Sequence, residues 1–269
     1  MQTWLPNSKK CSKPKSLLRG VPIFLLLIYS IIFSNFSYAV SSPPQIYPKI
    51  PHLQLISLLK SDLKALQSSS FNRLLLQWEK KYGVQAFRPL LEIASDRTDE
   101  DSHRYIALMG AAKLGGFTTA RAFIPFLKES SWMLRAAALR TVASLGNPES
   151  GPSVIPLLRD PALVVRAEAI EAIKKLQPSG SSQAILETLN DPANYHAGKA
   201  LWVPQKALSA LVALQVKSAA PQLKPLLRHE KDPDLQLRTV QALESLTGKH
   251  LEPGAPLSSR VRAWLKASI

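Results

Sequence analysis

The chain has 269 residues, with 34 Lys and Arg against 19 Asp and Glu, and 46% of it is apolar. That apolar content supports a packed core and excludes a wholly disordered polypeptide, while a single cysteine, Cys11, excludes an intramolecular disulfide and a cysteine-based metal site. The excess of cations favours acidic partners without choosing among nucleic acid, anionic lipid or lipopolysaccharide, and acidic proteins or polymers.

Residues 1–20 are polar and basic, holding Lys9, Lys10, Lys13, Lys15 and Arg19 and no acid. An uncharged apolar run from Val21 to Phe33 follows. Ser37-Tyr38-Ala39 then places small residues at the two positions a signal peptidase reads. This three-part pattern predicts a signal peptide over 1–39, cleaved after Ala39, and a folded portion that is periplasmic or secreted. The alternative is an uncleaved inner-membrane anchor, and a spanning helix of about 20 apolar residues would need the run to extend to Val40. Cys11 leaves with the signal, and the remainder keeps 29 basic and 19 acidic side chains. Residues 40–51 read as an extended linker, because Pro43, Pro44, Pro48 and Pro51 cannot continue a helix or a central strand.

From residue 52 onward apolar residues recur at helical spacing, with no alternating strand pattern. Leu53, Ile56, Leu59, Leu63 and Leu66 form one face. Phe71, Leu74, Leu75 and Trp78 form the next, and Val84, Phe87, Leu90 and Leu91 a third. Residues 52–100 are thus expected to hold N-terminal helices and a degenerate capping repeat. The acidic stretch Asp96 to Ser102 lacks the central glycine and terminal glutamate of a calcium loop and reads as a helix entry, capped by Asp101 or Ser102.

Between 101 and 250 the sequence repeats itself. Arg104, Arg135 and Arg166 lie 31 residues apart, each followed by an alanine after three residues and a leucine after ten. Ile124-Pro125 answers Ile155-Pro156, and Asp160-Pro161 answers Asp191-Pro192, at the same interval. Two looser copies follow, with Pro204 and Gln236 in the place of the arginine. Each unit reads as two antiparallel helices. Gly115, Gly146 and Gly248 are expected as left-handed caps of the first helix. Pro125, Pro156 and Pro225 are expected near the start of the second, and Asp160 where it caps the next unit's first helix. A pair cannot bury its apolar faces alone, which is why the pattern recurs. The fold expected is all-α: a right-handed α-solenoid, or superhelix, of stacked antiparallel helix pairs. Residues 251–269, around Pro256 to Trp264, read as a C-terminal capping helix.

The Val/Leu-Arg-x-x-Ala…Leu-Gly first helix and the Ile-Pro-x-Leu…Asp-Pro second helix resemble the HEAT-repeat family. The likeness is to its short bacterial variety, the HEAT-like repeats of the phycobilisome-lyase type. It covers roughly residues 101–248, with units shorter than the ~40–47 residues of larger HEAT repeats. It implies that Arg104, Arg135 and Arg166, with Asp160 and Asp191, tie units together. Some relatives are bilin lyases acting on cytoplasmic antenna proteins, which an exported chain would not meet.

Two surfaces are candidates for partner binding. The second helices are expected to line the concave side, and their polar positions lean basic: Arg121, Lys128, Arg159, Lys224 and Arg228, with Glu129 and Glu187 as acidic exceptions. A solvated face is the alternative reading. Between Pro192 and Val203 the spacing grows by seven residues, adding a stretch with Tyr195, His196 and Trp202. It reads either as a binding loop or as an extended helix start packed on the core. The five histidines are scattered, with no HExxH spacing, so neither catalysis nor a metal or cofactor is expected. The expected function is that of an exported, monomeric scaffold for protein–protein interaction. A protein partner, an acidic one among the options, is favoured over an anionic envelope polymer or lipid, and over nucleic acid. The alternative is an envelope enzyme or chaperone-like accessory acting on a ligand in the groove.

Overall fold

The computed structural model describes residues 47–66 and 70–269. The expected signal peptide, Cys11 and most of the expected linker lie outside the described residues. The fold is an all-α, right-handed solenoid of stacked antiparallel helix pairs.

Two helices, α1 (His52–Lys64) and α2 (Phe71–Tyr82), pack against the first unit. The buried face of α1 is Leu55, Leu59 and Leu63, a strict four-residue spacing, whereas Leu53 is 79% exposed. Val84 is also exposed, on a 3-10 turn leading into α3 (Phe87–Ser95), so two of the apolar positions assigned to buried faces point outward.

The first helices of successive units form one layer: α4 (Asp101–Leu114), α5 (Trp132–Leu145), α7 (Leu163–Leu176), α9 (Trp202–Ala213) and α11 (Pro233–Thr247), each packed on the next. Their alanines (Ala107, Ala111, Ala137, Ala138, Ala169, Ala207, Ala210) are buried and let neighbouring backbones approach. Gly110 of α4 shows how closely: a Cβ there would lie 2.9 Å from the Trp78 indole. α12 (Leu257–Lys266) closes the C-terminal end with Trp264 fully buried.

The second layer starts at α3 and continues through residues 117–128, 148–159, α8 (Ser181–Thr188) and 217–228. Pro156 and Pro225 stand second in the 3-10 turns Ile155–Arg159 and Lys224–Arg228, but with Pro125 they fall late in the second element of the unit taken as a whole. Residues 117–128, 148–159 and 217–228 are each 12 residues long, and Pro125, Pro156 and Pro225 are the ninth residue of each. Proline lacks the N–H for an i−4 bond and its ring crowds the i−4 carbonyl, so the chain is held in the tighter 3-10 form around it. Within 148–159 and 217–228 a short α turn, α6 (Gly151–Val154) or α10 (Ala220–Leu223), gives way to 3-10 just before the proline. α8 has no proline and stays α-helical.

Gly146 and Gly248 are left-handed C-caps, with φ of 70° and 71°. Gly115 is not: its φ is −79° in an extended conformation, and a Cβ there would meet the Thr119 hydroxyl at 2.6 Å, so space rather than handedness calls for glycine. In the next two units the left-handed position is held by Gln177 and Gln215.

Candidate partner-binding surface

Three successive joints between units are each built on one buried or half-buried arginine. Arg104 donates from Nε to the Ala94 carbonyl (2.9 Å) and from Nη2 to Glu129 (2.9 Å). Arg135 donates from Nη1 to the Glu129 and Ser130 carbonyls (both 2.8 Å). Its Nε and Nη2 form a two-pronged pair with Asp160 (2.6 and 2.8 Å). Arg166 donates to the Asp160 and Pro161 carbonyls (2.7 and 3.1 Å), to Asn194 Oδ1 (2.8 Å) and to the Ala193 carbonyl (3.0 Å). In every case the guanidinium takes one or two carbonyls at the end of one second helix and an acceptor at the end of the next, which suits its planar fork of donors.

Several assigned roles differ in detail. Asp160 accepts the N–H of Ala162, the residue ahead of α7, which makes a turn rather than a helix cap. Asp191 accepts only the Ala193 N–H and does not meet Arg166, because the 3-10 turn Pro192–Asn194 brings the buried Asn194 amide there instead. Neither Asp101 nor Ser102 caps α4: Asp101 opens the helix and pairs with Arg104 at 3.1 Å. Glu129 does not belong to the exposed face of the second helix; it is buried between Arg104 and Arg97. Burial pushes its carboxyl up, but the hydrogen bonds and charges of Arg104 and Arg97 outweigh that and hold it below its ordinary value. The 31-residue interval between Glu129 and Asp160 was the signal for this role in the sequence.

The inserted stretch is neither a free loop nor a longer helix. It forms a two-stranded hairpin, β1 (Tyr195–His196) and β2 (Lys199–Ala200), with Ala197 and Gly198 at positive φ in the turn. Where Pro204 has displaced the arginine, the hairpin supplies the missing donor: the Ala200 N–H reaches Asp232 at 2.7 Å, and Asp232 also caps α11 through the Leu235 N–H. Tyr195 stacks on His229 (5.3 Å between ring centres) and its hydroxyl donates to the Leu189 carbonyl. Its phenol is pushed up to about 12, by burial first and by the Asp232 charge second. His196 is exposed, and Trp202, at the start of α9, is 58% exposed. Tyr195 is thus engaged within the fold while His196 and Trp202 face outward.

The basic residues of the second layer divide similarly. Arg121 pairs with Glu149 and Arg159 with Glu187, both at 2.7 Å on the surface. Lys224 donates to the Ala267 carbonyl at 2.7 Å, which fastens the C-terminal tail. The side chains of Lys128 and Arg228 are exposed and make no hydrogen bond or ion pair among the described residues.

Between successive second helices lie open grooves of similar size. One of about 400 Å³ is lined by Leu91, Glu92, Asp96, Ala122, Pro125 and Phe126. The next, about 390 Å³, is lined by Ile124, Leu127, Lys128, Pro156, Leu157 and Asp160. A third, about 410 Å³, is lined by Leu158, Arg159, Ala184, Glu187, Thr188 and Asp191. The last two are the same site one unit apart: Leu127 answers Leu158, Lys128 answers Arg159 and Asp160 answers Asp191, each 31 residues on. Among the described residues no three His, Cys, Asp or Glu side chains are placed to hold a metal, and no helix is long and apolar enough to cross a membrane.

Residues 87–174 and, overlapping them, 119–201 match the family described as HEAT repeats. No curated protein matches the chain. Among solved structures, a distant match is the complex of CpcE and CpcF of phycocyanin lyase from Nostoc sp. PCC7120. Identity is 19%, coverage is 78% of this chain and 70% of that chain, and the TM-score is 0.41.

Proposed function

We propose, on the premise that this solenoid is built of HEAT repeats, that the protein is an exported scaffold that binds an acidic protein through its second-helix layer. The observation that carries this reading is the row of open, apolar-floored grooves along that layer with exposed Lys128 and Arg159 at their edges. Opposite charge on a partner would speed encounter and fix register. The buried arginines are consumed in the joints, so the cations left to meet a partner on the second layer are exposed ones such as Lys128. Export rests on the sequence of residues 1–39, a basic segment, an apolar run and small residues before the cut.

The test pairs two measurements on the full chain expressed in a bacterial host. N-terminal sequencing of the exported species should begin at Val40, and a species that keeps residue 1 would replace the signal with an anchor. Lys128→Glu with Arg159→Glu should abolish a stoichiometric, salt-sensitive complex with envelope proteins while leaving the circular dichroism unchanged. A complex that survives the double reversal would place the contact elsewhere.

A further inference from the structure

Arg97, Lys128 and Arg159 follow one another at 31-residue intervals, each at or just past the end of a second helix and beside one of the three grooves. All three are exposed, with Arg97 at 75% and Arg159 at 79% of the side chain. Most acids lining the first two grooves are engaged by other side chains, whereas in the third Glu187 is paired with Arg159 and Asp191 accepts only the Ala193 N–H. Asp96 is held by Lys60 at 2.8 Å, Glu92 by His52 at 2.9 Å and Asp160 by Arg135 at 2.6 Å. Arg97 reaches only Glu129, whose charge is already met by the buried Arg104, and Lys128 has no partner among the described residues. Arg159 has a surface pair with Glu187, the kind of contact that contributes little and exchanges readily. The result is a ladder of exposed cations, one per unit, of which Lys128 is unpaired among the described residues and Arg97 and Arg159 are held only by surface-accessible contacts, alternating with apolar hollows floored by side chains such as Leu127 and Leu157 and edged by the exposed prolines Pro125 and Pro156.

Packed helices of successive units lie about 8–10 Å apart. An extended chain in the polyproline conformation advances about 3.1 Å per residue, so every third residue returns to the same side after about 9 Å. Building on the second-helix reading above, we infer that the ladder takes an extended polypeptide with a carboxylate at every third residue. Successive carboxylates meet Arg97, Lys128 and Arg159, and the residues between them lie over the grooves. The geometry selects for the interval between charges as well as their sign, which a merely cationic surface would not do.

The interval is tested by fluorescence anisotropy with the full chain and two labelled peptides. One consists of Glu-Pro-Pro triplets. The other has the same composition and length with its glutamates adjacent. The triplet peptide should bind roughly tenfold more tightly than its rearranged counterpart, and Lys128→Glu should remove that preference. Equal affinity for the two peptides, or a soluble anionic polysaccharide that competes as well as the triplet peptide does, would overturn the spacing while leaving a charge-driven scaffold intact. Failure of the triplet peptide to bind at all, alongside an acidic protein partner lost in the double reversal, would likewise reject this inference and not the broader one.

Discussion

Arg135 concentrates the physics of a joint in one side chain, because its guanidinium satisfies two main-chain carbonyls and both oxygens of Asp160, itself largely buried. Arg135→Ala removes the donor from both carbonyls and leaves Asp160 with only the Ala162 N–H, and breaking such a pair costs about 3–5 kcal/mol when fully buried. The site is partly exposed, so we expect a loss of about 2–3 kcal/mol in urea unfolding. Arg121→Ala removes an exposed pair and should cost under about 1 kcal/mol. A loss for Arg135→Ala no larger than for Arg121→Ala would rule out the joint as the source of stability. Glu129 adds a pH dependence. Its carboxyl is held below the ordinary value in the folded chain, so the charged form stabilises the fold above the unfolded value of about 4.3. That contribution is lost as pH falls through the lower, folded value. Stability of the native protein should therefore decline below about pH 4 more steeply than that of Glu129→Gln, whose side chain does not titrate.

At the scale of the element, the caps and the prolines follow local rules with different outcomes. Gly146 and Gly248 hold left-handed caps at no steric cost, while Gln177 (φ 48°) and Gln215 (φ 55°) hold the same conformation with a Cβ. Replacing either with glycine relieves backbone strain of about 1 kcal/mol, partly offset by the greater freedom of glycine in the unfolded chain. Gln177→Gly and Gln215→Gly should each raise stability by about 0.5 kcal/mol, read as a shifted denaturation midpoint with an unchanged slope. A lowered midpoint would show that the glutamines make compensating contacts. The second helices were legible as helices from their apolar spacing. Their mixed α and 3-10 form was not, because a proline at the ninth position acts through the carbonyl four residues earlier and only the folded chain shows how that clash is resolved.

Across the whole molecule, each unit touches chiefly its neighbours, so stability is transmitted along the stack rather than through a single centre. Trp264 of α12, fully buried at the C-terminal end, tests this. Trp264→Ala should cost about 3–5 kcal/mol locally. Hydrogen exchange should then quicken in α11 and residues 217–228 while α4 and α5 keep their protection. A uniform loss of protection from α4 to α12 would mean that the stack unfolds as one unit.

The 31-residue interval, the alanine-rich first helices and the arginines at 104, 135 and 166 were enough to specify paired helices that stack, because a repeating apolar face has no other way to leave water. Local patterns could not decide which of Leu53 and Leu55 turns inward, that Gly115 is needed for space, or that Arg166 meets Asn194 and not Asp191. Nor could they show that the insertion before Val203 folds into a hairpin whose Ala200 N–H stands in for an absent arginine. Each of these depends on a partner more than ten residues away, or on the room left by a neighbouring helix. Periodicity fixes which side of a helix is apolar; the packed neighbours fix which atoms meet there.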